Sequence, residues 1–73
     1  MPAALFRYPA SMKQEIERAQ LPYWSEGGEY KRLSEARKRA EELAEEKNFP
    51  IELLWMGQAR VIYPEALKDK GYY

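Results

Sequence analysis

The chain has 73 residues, of which 12 are basic and 12 are acidic, and it contains neither cysteine nor histidine. These counts exclude disulfide bonds, zinc sites built from thiolates and imidazoles, thiol nucleophiles and imidazole acid–base catalysis. Leu, Ile, Val and Phe supply only thirteen residues, so six Tyr and two Trp must provide much of the buried apolar area. We therefore expect one aromatic-rich domain over residues 1–73, with no enzymatic activity, no metal and no cofactor.

The N-terminal third is predicted to hold an arm and a short helix. Residues 1–10 read as an N-terminal arm or an edge strand that ends at Pro9. Ser11 and Gln14 have the spacing of a capping box, which predicts a helix to about Gln20. Because residues 1–8 lack the apolar run of a signal peptide, and no stretch could span a bilayer, we expect a cytoplasmic protein without a membrane partner.

The segment 23–31 centres on Gly27-Gly28 and is compatible with a hairpin or with an irregular loop. The main helix is predicted from about Glu35 to Lys47, with Ser34 as its N-cap and Asn48 as its left-handed C-terminal residue. Its inner face is expected to hold the apolar residues that recur at spacings of three and four, namely Ala36, Ala40, Leu43 and Ala44.

A hairpin is predicted after Pro50, with strands over residues 51–56 and 59–63 joined by a type II′ turn at Gly57-Gln58. This loop would place Trp55 opposite Arg60, with the arginine stacked on the indole ring. Both faces of the hairpin are largely apolar, so we expect the N-terminal segment or a partner to cover the face opposite the helix.

The predicted fold class is therefore α+β. One main helix packs on a small antiparallel, hairpin-based sheet, with a short N-terminal helix and a semi-ordered N-terminal arm. The last residues, 70–73, are expected to form a flexible tail.

Charge is unevenly distributed along the main helix. Lys31, Arg32, Arg37, Lys38 and Arg39 precede four glutamates, which opposes the helix dipole. Pairs at i,i+4, such as Arg37 with Glu41 and Lys38 with Glu42, would offset part of this cost. The pattern is compatible with a solvated helix face, with a bipolar surface for a protein partner, or with a basic end that contacts nucleic acid.

Aromatic residues near the basic end admit two interpretations. Basic and aromatic side chains together can hold phosphates and stack bases, but Trp24 and Trp55 are also the large side chains that a small core needs. A net charge of zero weakens the nucleic-acid alternative. The candidate nucleic-acid-binding residues are Tyr23, Trp24, Tyr30, Arg37, Lys38 and Arg39.

The segment Leu5-Phe6-Arg7-Tyr8 has the residue mix of an interface hot spot, and it can equally form a strand with Phe6 in the core. In its length, in this segment and in a helix from Ser34 to Asn48 ahead of a hairpin, the chain resembles small bacteriophage transcription regulators that bind host RNA polymerase. Such regulators are monomers that occupy a surface of a host protein complex and carry no catalytic groups.

The resemblance implies binding to the N-terminal region of the polymerase β′ subunit, near the RNA exit channel, in the host cytoplasm. Displacement of the σ factor would then inhibit initiation, and suppression of pausing would promote antitermination. The implied contacts are Leu5, Phe6, Arg7 and Tyr8, and electrostatics adds Lys31 and Arg32. The alternatives are an anti-CRISPR-like inhibitor of a host defence complex, a small nucleic-acid-binding protein and a structural subunit of a larger complex.

Overall fold

The computed structural model describes residues 2–68, so the tail expected at 70–73 lies outside the described residues. The elements in chain order are β1 (Ala3–Arg7), a 3₁₀ turn (Ala10–Met12), α1 (Lys13–Arg18), β2 (Ser25–Glu29), α2 (Leu33–Lys47), β3 (Ile51–Trp55), β4 (Gln58–Ile62) and α3 (Glu65–Lys68). The strands form one antiparallel sheet in the order β2-β1-β3-β4. This architecture confirms the predicted α+β class.

The N-terminal segment forms a central strand, so the prediction of an arm or an edge strand is wrong. Phe6 of β1 lies opposite Glu26 of β2 on one side and opposite Leu53 of β3 on the other. A central strand needs side chains that fill a core without crowding, and the run of Ala, Leu and Phe in β1 meets this need. Pro9, which lacks a backbone N–H, comes two residues after Arg7, the last paired residue of β1.

The helix α2 covers one face of the sheet through the four residues that its periodicity predicts. Ala36, Ala40, Leu43 and Ala44 are buried, and three of the four are alanines, which let the helix lie close to the strands. They form one core with residues of the sheet face beneath them, namely Ala4, Phe6, Ile51, Leu53 and Ile62.

The C-terminus of α2 matches its prediction and the N-terminus does not. Asn48 is left-handed, with φ of 53°, and its N–H bonds to the Ala44 carbonyl, as a helix-terminating residue should. At the other end the N-cap is Arg32, with no side-chain capping bond, so the prediction of Ser34 is wrong. The helix begins earlier because Leu33 packs against the core and is drawn into the first turn.

The hairpin lies where it was predicted but turns one residue earlier. Its two-residue loop is Met56-Gly57, with φ of 52° and 74°, which is a type I′ turn instead of type II′. Trp55 therefore lies opposite Gln58, and the predicted pairing with Arg60 is wrong. The register moves by two residues, and because side chains alternate with a period of two, every residue keeps its predicted face.

Residues 25–29 form an edge strand, so both alternatives for this segment, a hairpin and a loop, are wrong. Gly28 leaves room for the Tyr30 ring, because a Cβ at this position would lie 2.9 Å from Tyr30 Cε2. The same ring meets Phe6 edge-on, with the ring centroids 5.8 Å apart. The glycine thus serves packing of an aromatic side chain and not a turn.

The predicted N-terminal helix is present but short. The 3₁₀ turn leads into α1, which ends at Arg18, and neither helix start has a side-chain capping bond, so the capping box of Ser11 and Gln14 does not form. Gln20 then adopts a left-handed conformation with φ of 56°. A left-handed residue ends the helical path two residues before Pro22.

Candidate functional site

One face of the sheet faces away from α2, and we call it the open face. The helix packs against β3 and β4 from the other side, and no second helix of residues 2–68 forms a comparable layer here. In the middle of the open face, Leu5, Leu54 and Ala59 lie side by side on β1, β3 and β4. Leu5 is 38% exposed and Val61, one step further along β4, is 36% exposed.

The open face is predominantly apolar at its centre, which is unusual for a solvated sheet. An antiparallel sheet with one wet face normally carries polar residues on that face. The two expectations for its cover were the N-terminal segment and a partner. Since the N-terminal segment forms β1 inside the sheet, it does not provide this cover.

An ion pair borders the apolar centre. Arg7 Nε donates to Glu52 Oε1 at 3.0 Å across β1 and β3, and the Ala10 N–H donates to the same oxygen at 3.2 Å. Glu52 thereby fixes both the arginine and the start of the 3₁₀ turn. The remaining guanidinium nitrogens of Arg7 have no ion-pair partner in the described part of the chain, so they can donate hydrogen bonds to a further anionic group.

The structure divides the predicted contact segment between the two faces of the sheet. Leu5 and Arg7 lie on the open face, whereas Phe6 is completely buried beneath α2, so its interpretation as a partner contact is wrong. Tyr8 is half-buried in an aromatic cluster, with its ring 5.5 Å from those of Trp24 and Phe49. Burial raises the pKa of Tyr8 above its ordinary value.

The two predicted basic contacts lie at the opposite end of the sheet from Arg7. Tyr30 donates its N–H to the Pro2 carbonyl at 3.0 Å, so Lys31 and Arg32 follow β2 beside the start of β1. Arg7 lies opposite Ser25, at the other end of β2. The predicted contact residues therefore do not form a single patch.

The proposed nucleic-acid cluster is also divided. Trp24 precedes β2 and Tyr30 follows it, a separation of about 20 Å along an extended strand. Trp24 packs against the core, and Lys47 Nζ lies 4.6 Å from the centre of its ring. Tyr23 is 88% exposed beside Trp24 and is therefore separated from Tyr30 by the length of β2.

Arg39 belongs to an ion-pair network and is not a free cation. Its Nε and Nη2 donate to the two carboxylate oxygens of Glu26 at 2.7 and 2.9 Å, which ties α2 to the edge strand β2. Glu42 and Glu46 also lie within ion-pair distance of it. The hydrogen bonds that Arg39 donates lower the pKa of Glu26, and donation to the carboxylates of Glu26 and Glu42 raises the pKa of Arg39.

The other predicted charge pairs are partly present. Arg37 and Glu41 form the expected i,i+4 pair, with 3.6 Å between Nε and Oε2. Glu42 pairs with Arg39 instead of Lys38, so the predicted Lys38 pair is wrong. With Arg39 and Arg37 both paired, Lys38 is the one helix cation of the nucleic-acid set without an ion pair in residues 2–68.

Trp55 has a structural environment that differs from the expected one. Its ring packs against the core, which agrees with the core interpretation. Arg60 does not stack on it, because the register places Arg60 opposite Leu53 and its Nη2 donates to Gln58 Oε1 at 2.6 Å. The Trp55 Nε1 atom is buried without a hydrogen-bond partner in the described structure.

The concave surfaces of the described residues include an apolar pocket and an acidic groove. An apolar pocket of about 230 Å³ lies at the end of the sheet near α1. Its walls are Tyr8, Ile16, Leu21, Pro22, Tyr23 and Trp24. A shallower acidic groove is lined by Glu41, Glu45, Tyr63 and Glu65, and there Glu45 Oε2 accepts the Glu65 N–H at 2.6 Å.

Neither surface is a metal site. Within residues 2–68 no group of three or more acidic side chains is arranged to hold a metal ion. The same range contains no helix with the length and apolarity that a bilayer crossing requires. Comparison of the chain with protein-family models, curated proteins and solved structures finds no match.

Proposed function

We propose that this chain is a cytoplasmic, non-catalytic regulator that acts by binding a protein partner through its open face. The observation that carries the proposal is the apolar centre of that face, where Leu5 and Val61 are both more than one third exposed. Exposed apolar groups that lie together on a rigid sheet are typical of interaction sites. Leu54, half-buried between them, continues the same surface.

The charges of the chain support a binding role more than a chemical one. The sequence has no cysteine and no histidine to act as nucleophile or base near neutral pH. Glu26 and Glu52 are each engaged by an arginine. The hydrogen bonds from Arg39 lower the pKa of Glu26, which makes that carboxylate a poor proton donor.

A protein partner is favoured over a nucleic acid by the state of the cations. Arg39 is bound by glutamates, and the aromatic residues are divided between the two ends of β2. Nucleic-acid affinity depends on the number of cations free to neutralise phosphates, and this number is small on α2.

The partner that we propose to test first is bacterial core RNA polymerase, on the strength of the resemblance in the sequence. Within the segment implied by that resemblance, Leu5 and Arg7 are the residues available on the open face. Leu54 and Val61 would join them. The regulatory outcome would be inhibited initiation or antitermination, produced by occupation of a polymerase surface.

The experiment is co-elution of the purified chain with core polymerase of its host, with and without σ factor, at about 150 mM salt to screen exposed charges. We expect the wild-type chain to co-elute and the double variant Leu5→Thr/Val61→Thr to elute alone. Tyr23→Ser, which removes an exposed aromatic ring from a different surface, is the matched control and should co-elute. Failure of the wild-type chain to bind would refute the polymerase as partner.

A further inference from the structure

The hairpin turn carries a residue that its backbone conformation disfavours. Met56 has φ of 52° at the first position of a type I′ turn, where Asn, Asp and Gly are preferred. Its side chain is 63% exposed, so packing within the described chain does not explain its presence. A large apolar side chain retained in a costly conformation and facing solvent points to a contact with another molecule.

Met56 lies at one end of the open face. It directly follows Trp55, which is paired with Ala4, so its place in the register is beside Ala3 on β1. The apolar surface therefore runs from Met56 and Ala3, across Leu5 and Leu54, to Val61 at the other end. We call this surface the apolar stripe.

The size of the apolar stripe decides between possible occupants. The apolar stripe spans three strands, which is about 10 Å across the sheet, and four residue steps, which is about 13 Å along the strands, measured between the outermost Cα positions. A stable dimer buries about 800 Å² on each partner, which is several times this area, so a second copy of the chain would be held weakly. A single α-helix is about 10–12 Å wide, and about nine of its residues cover 13 Å.

The charges around the apolar stripe specify the partner further. Lys31 and Arg32 follow β2 beside the start of β1, at the end of the sheet where Met56 lies, and have no ion pair within residues 2–68, and the outer nitrogens of Arg7 lie at the Val61 end of the stripe. Glu52 is already engaged by Arg7, and Glu29, which lies opposite Ala3 on the open face, has no ion pair within residues 2–68. Cations thus predominate among the available charges, and they favour acidic residues on the occupant.

We infer that the apolar stripe binds one amphipathic α-helix of the partner protein, with acidic residues flanking its apolar side and Met56 as an anchoring contact. This inference rests on the proposed function and names the class of segment that the partner presents. Methionine suits such a surface because its unbranched, polarizable side chain adapts to the shape of a helix.

The test uses a display library of fully random 16-residue peptides, selected for binding to the full chain. We expect the enriched peptides to be net acidic, to repeat apolar residues at spacings of three and four, and to become helical when bound. Met56→Asn and Leu5→Thr should each weaken a selected peptide by about tenfold, the effect of losing one buried apolar contact. Tyr23→Ser should leave the affinity unchanged, and circular dichroism establishes that all variants fold.

Three results would overturn the inference. They are the absence of any selected binder, enrichment of basic or extended peptides, and binding that Met56→Asn and Leu5→Thr leave unchanged. Sedimentation of the chain alone provides a further check, because a dimer that Leu5→Thr dissociates would identify a second copy as the occupant. Each of these results is independent of the polymerase co-elution, so the inference can fail while the proposed function stands, and the reverse.

Discussion

The substitution Met56→Asn should stabilise the isolated domain. It puts an Asn-Gly pair into the type I′ turn, which is the favoured sequence for a two-residue hairpin. A left-handed conformation costs an ordinary residue about 1–2 kcal/mol, and asparagine tolerates it better than methionine does. Because Met56 is mostly exposed, little buried apolar area is lost in exchange.

We expect the free energy of unfolding to rise by about 0.5–1 kcal/mol, from the part of the left-handed penalty that asparagine avoids. For a domain of this length 1 kcal/mol shifts the melting temperature by about 4–8 °C, so the expected rise is about 2–8 °C. Thermal melts and urea titrations followed by circular dichroism measure both quantities. The slope of the urea transition should not change, because the fold is the same.

Gly57→Ala is the matched variant on the neighbouring turn residue. Gly57 has φ of 74°, and a Cβ there would meet no atom within 4 Å, so the substitution tests the backbone conformation alone. We expect a loss of about 1 kcal/mol. If Gly57→Ala destabilises the chain and Met56→Asn leaves its stability unchanged or lower, the methionine supports the fold itself, and the argument for a retained external contact is refuted.

The other predictions concern the core, the edge strand and acid. Phe6→Ala should lower the free energy of unfolding by about 3–5 kcal/mol of the roughly 4–11 kcal/mol expected for 73 residues, measured by urea titration, and a variant as stable as the wild type would contradict the core assignment. Gly28→Ala should lower the melting temperature, because its Cβ would displace the Tyr30 ring. Gly27→Ala should leave the melting temperature unchanged, because its Cβ would meet only a carbonyl oxygen at 3.9 Å. Equal effects of the two substitutions would refute the packing of Tyr30 against Gly28. Since Arg39 lowers the pKa of Glu26 in the folded state, the pair stabilises fully above about pH 5 and progressively less as the pH falls through that lowered pKa. Glu26→Gln should flatten this acid limb, and an unchanged pH profile would show that the pair contributes nothing.

The part of the fold that local patterns predict is the part built from neighbouring residues. The alanine spacing and the Asn48 stop locate α2 closely, because helix contacts and caps depend on residues three or four apart. The hairpin was located for the same reason. Its turn was misplaced because a Gly at the first loop position favours type II′, whereas the observed pairing of Trp55 with Gln58 makes Gly57 the second loop residue of a type I′ turn.

The part that local patterns could not predict depends on distant partners. Arg7 and Glu52 are 45 residues apart, and nothing near β1 indicates that strands flank it on both sides. Gly28 was read as a turn residue, although it is required because the Tyr30 ring occupies the space of a Cβ. Register and ring packing of this kind arise only from the assembled sheet.

Only some of the residues of the candidate site were predicted from the sequence. Leu5 and Arg7 were among the expected contacts, but Phe6 alternates into the core and Lys31 lies at the other end of the sheet. Leu54, Val61 and Met56, which we propose as contacts, were not among the predicted contact residues. The apolar composition of both hairpin faces was the signal for the first two, and a methionine before the turn glycine was the signal for the third.

The central claim is that the open face contacts a protein, and site-specific photocrosslinking tests it most directly. Benzoylphenylalanine would be introduced at Val61, on the open face, and at Tyr23 as a control on another exposed surface. After irradiation with core polymerase, we predict a crosslinked product from position 61 and none from position 23. A crosslink from position 23 alone, or from neither position, would contradict the claim.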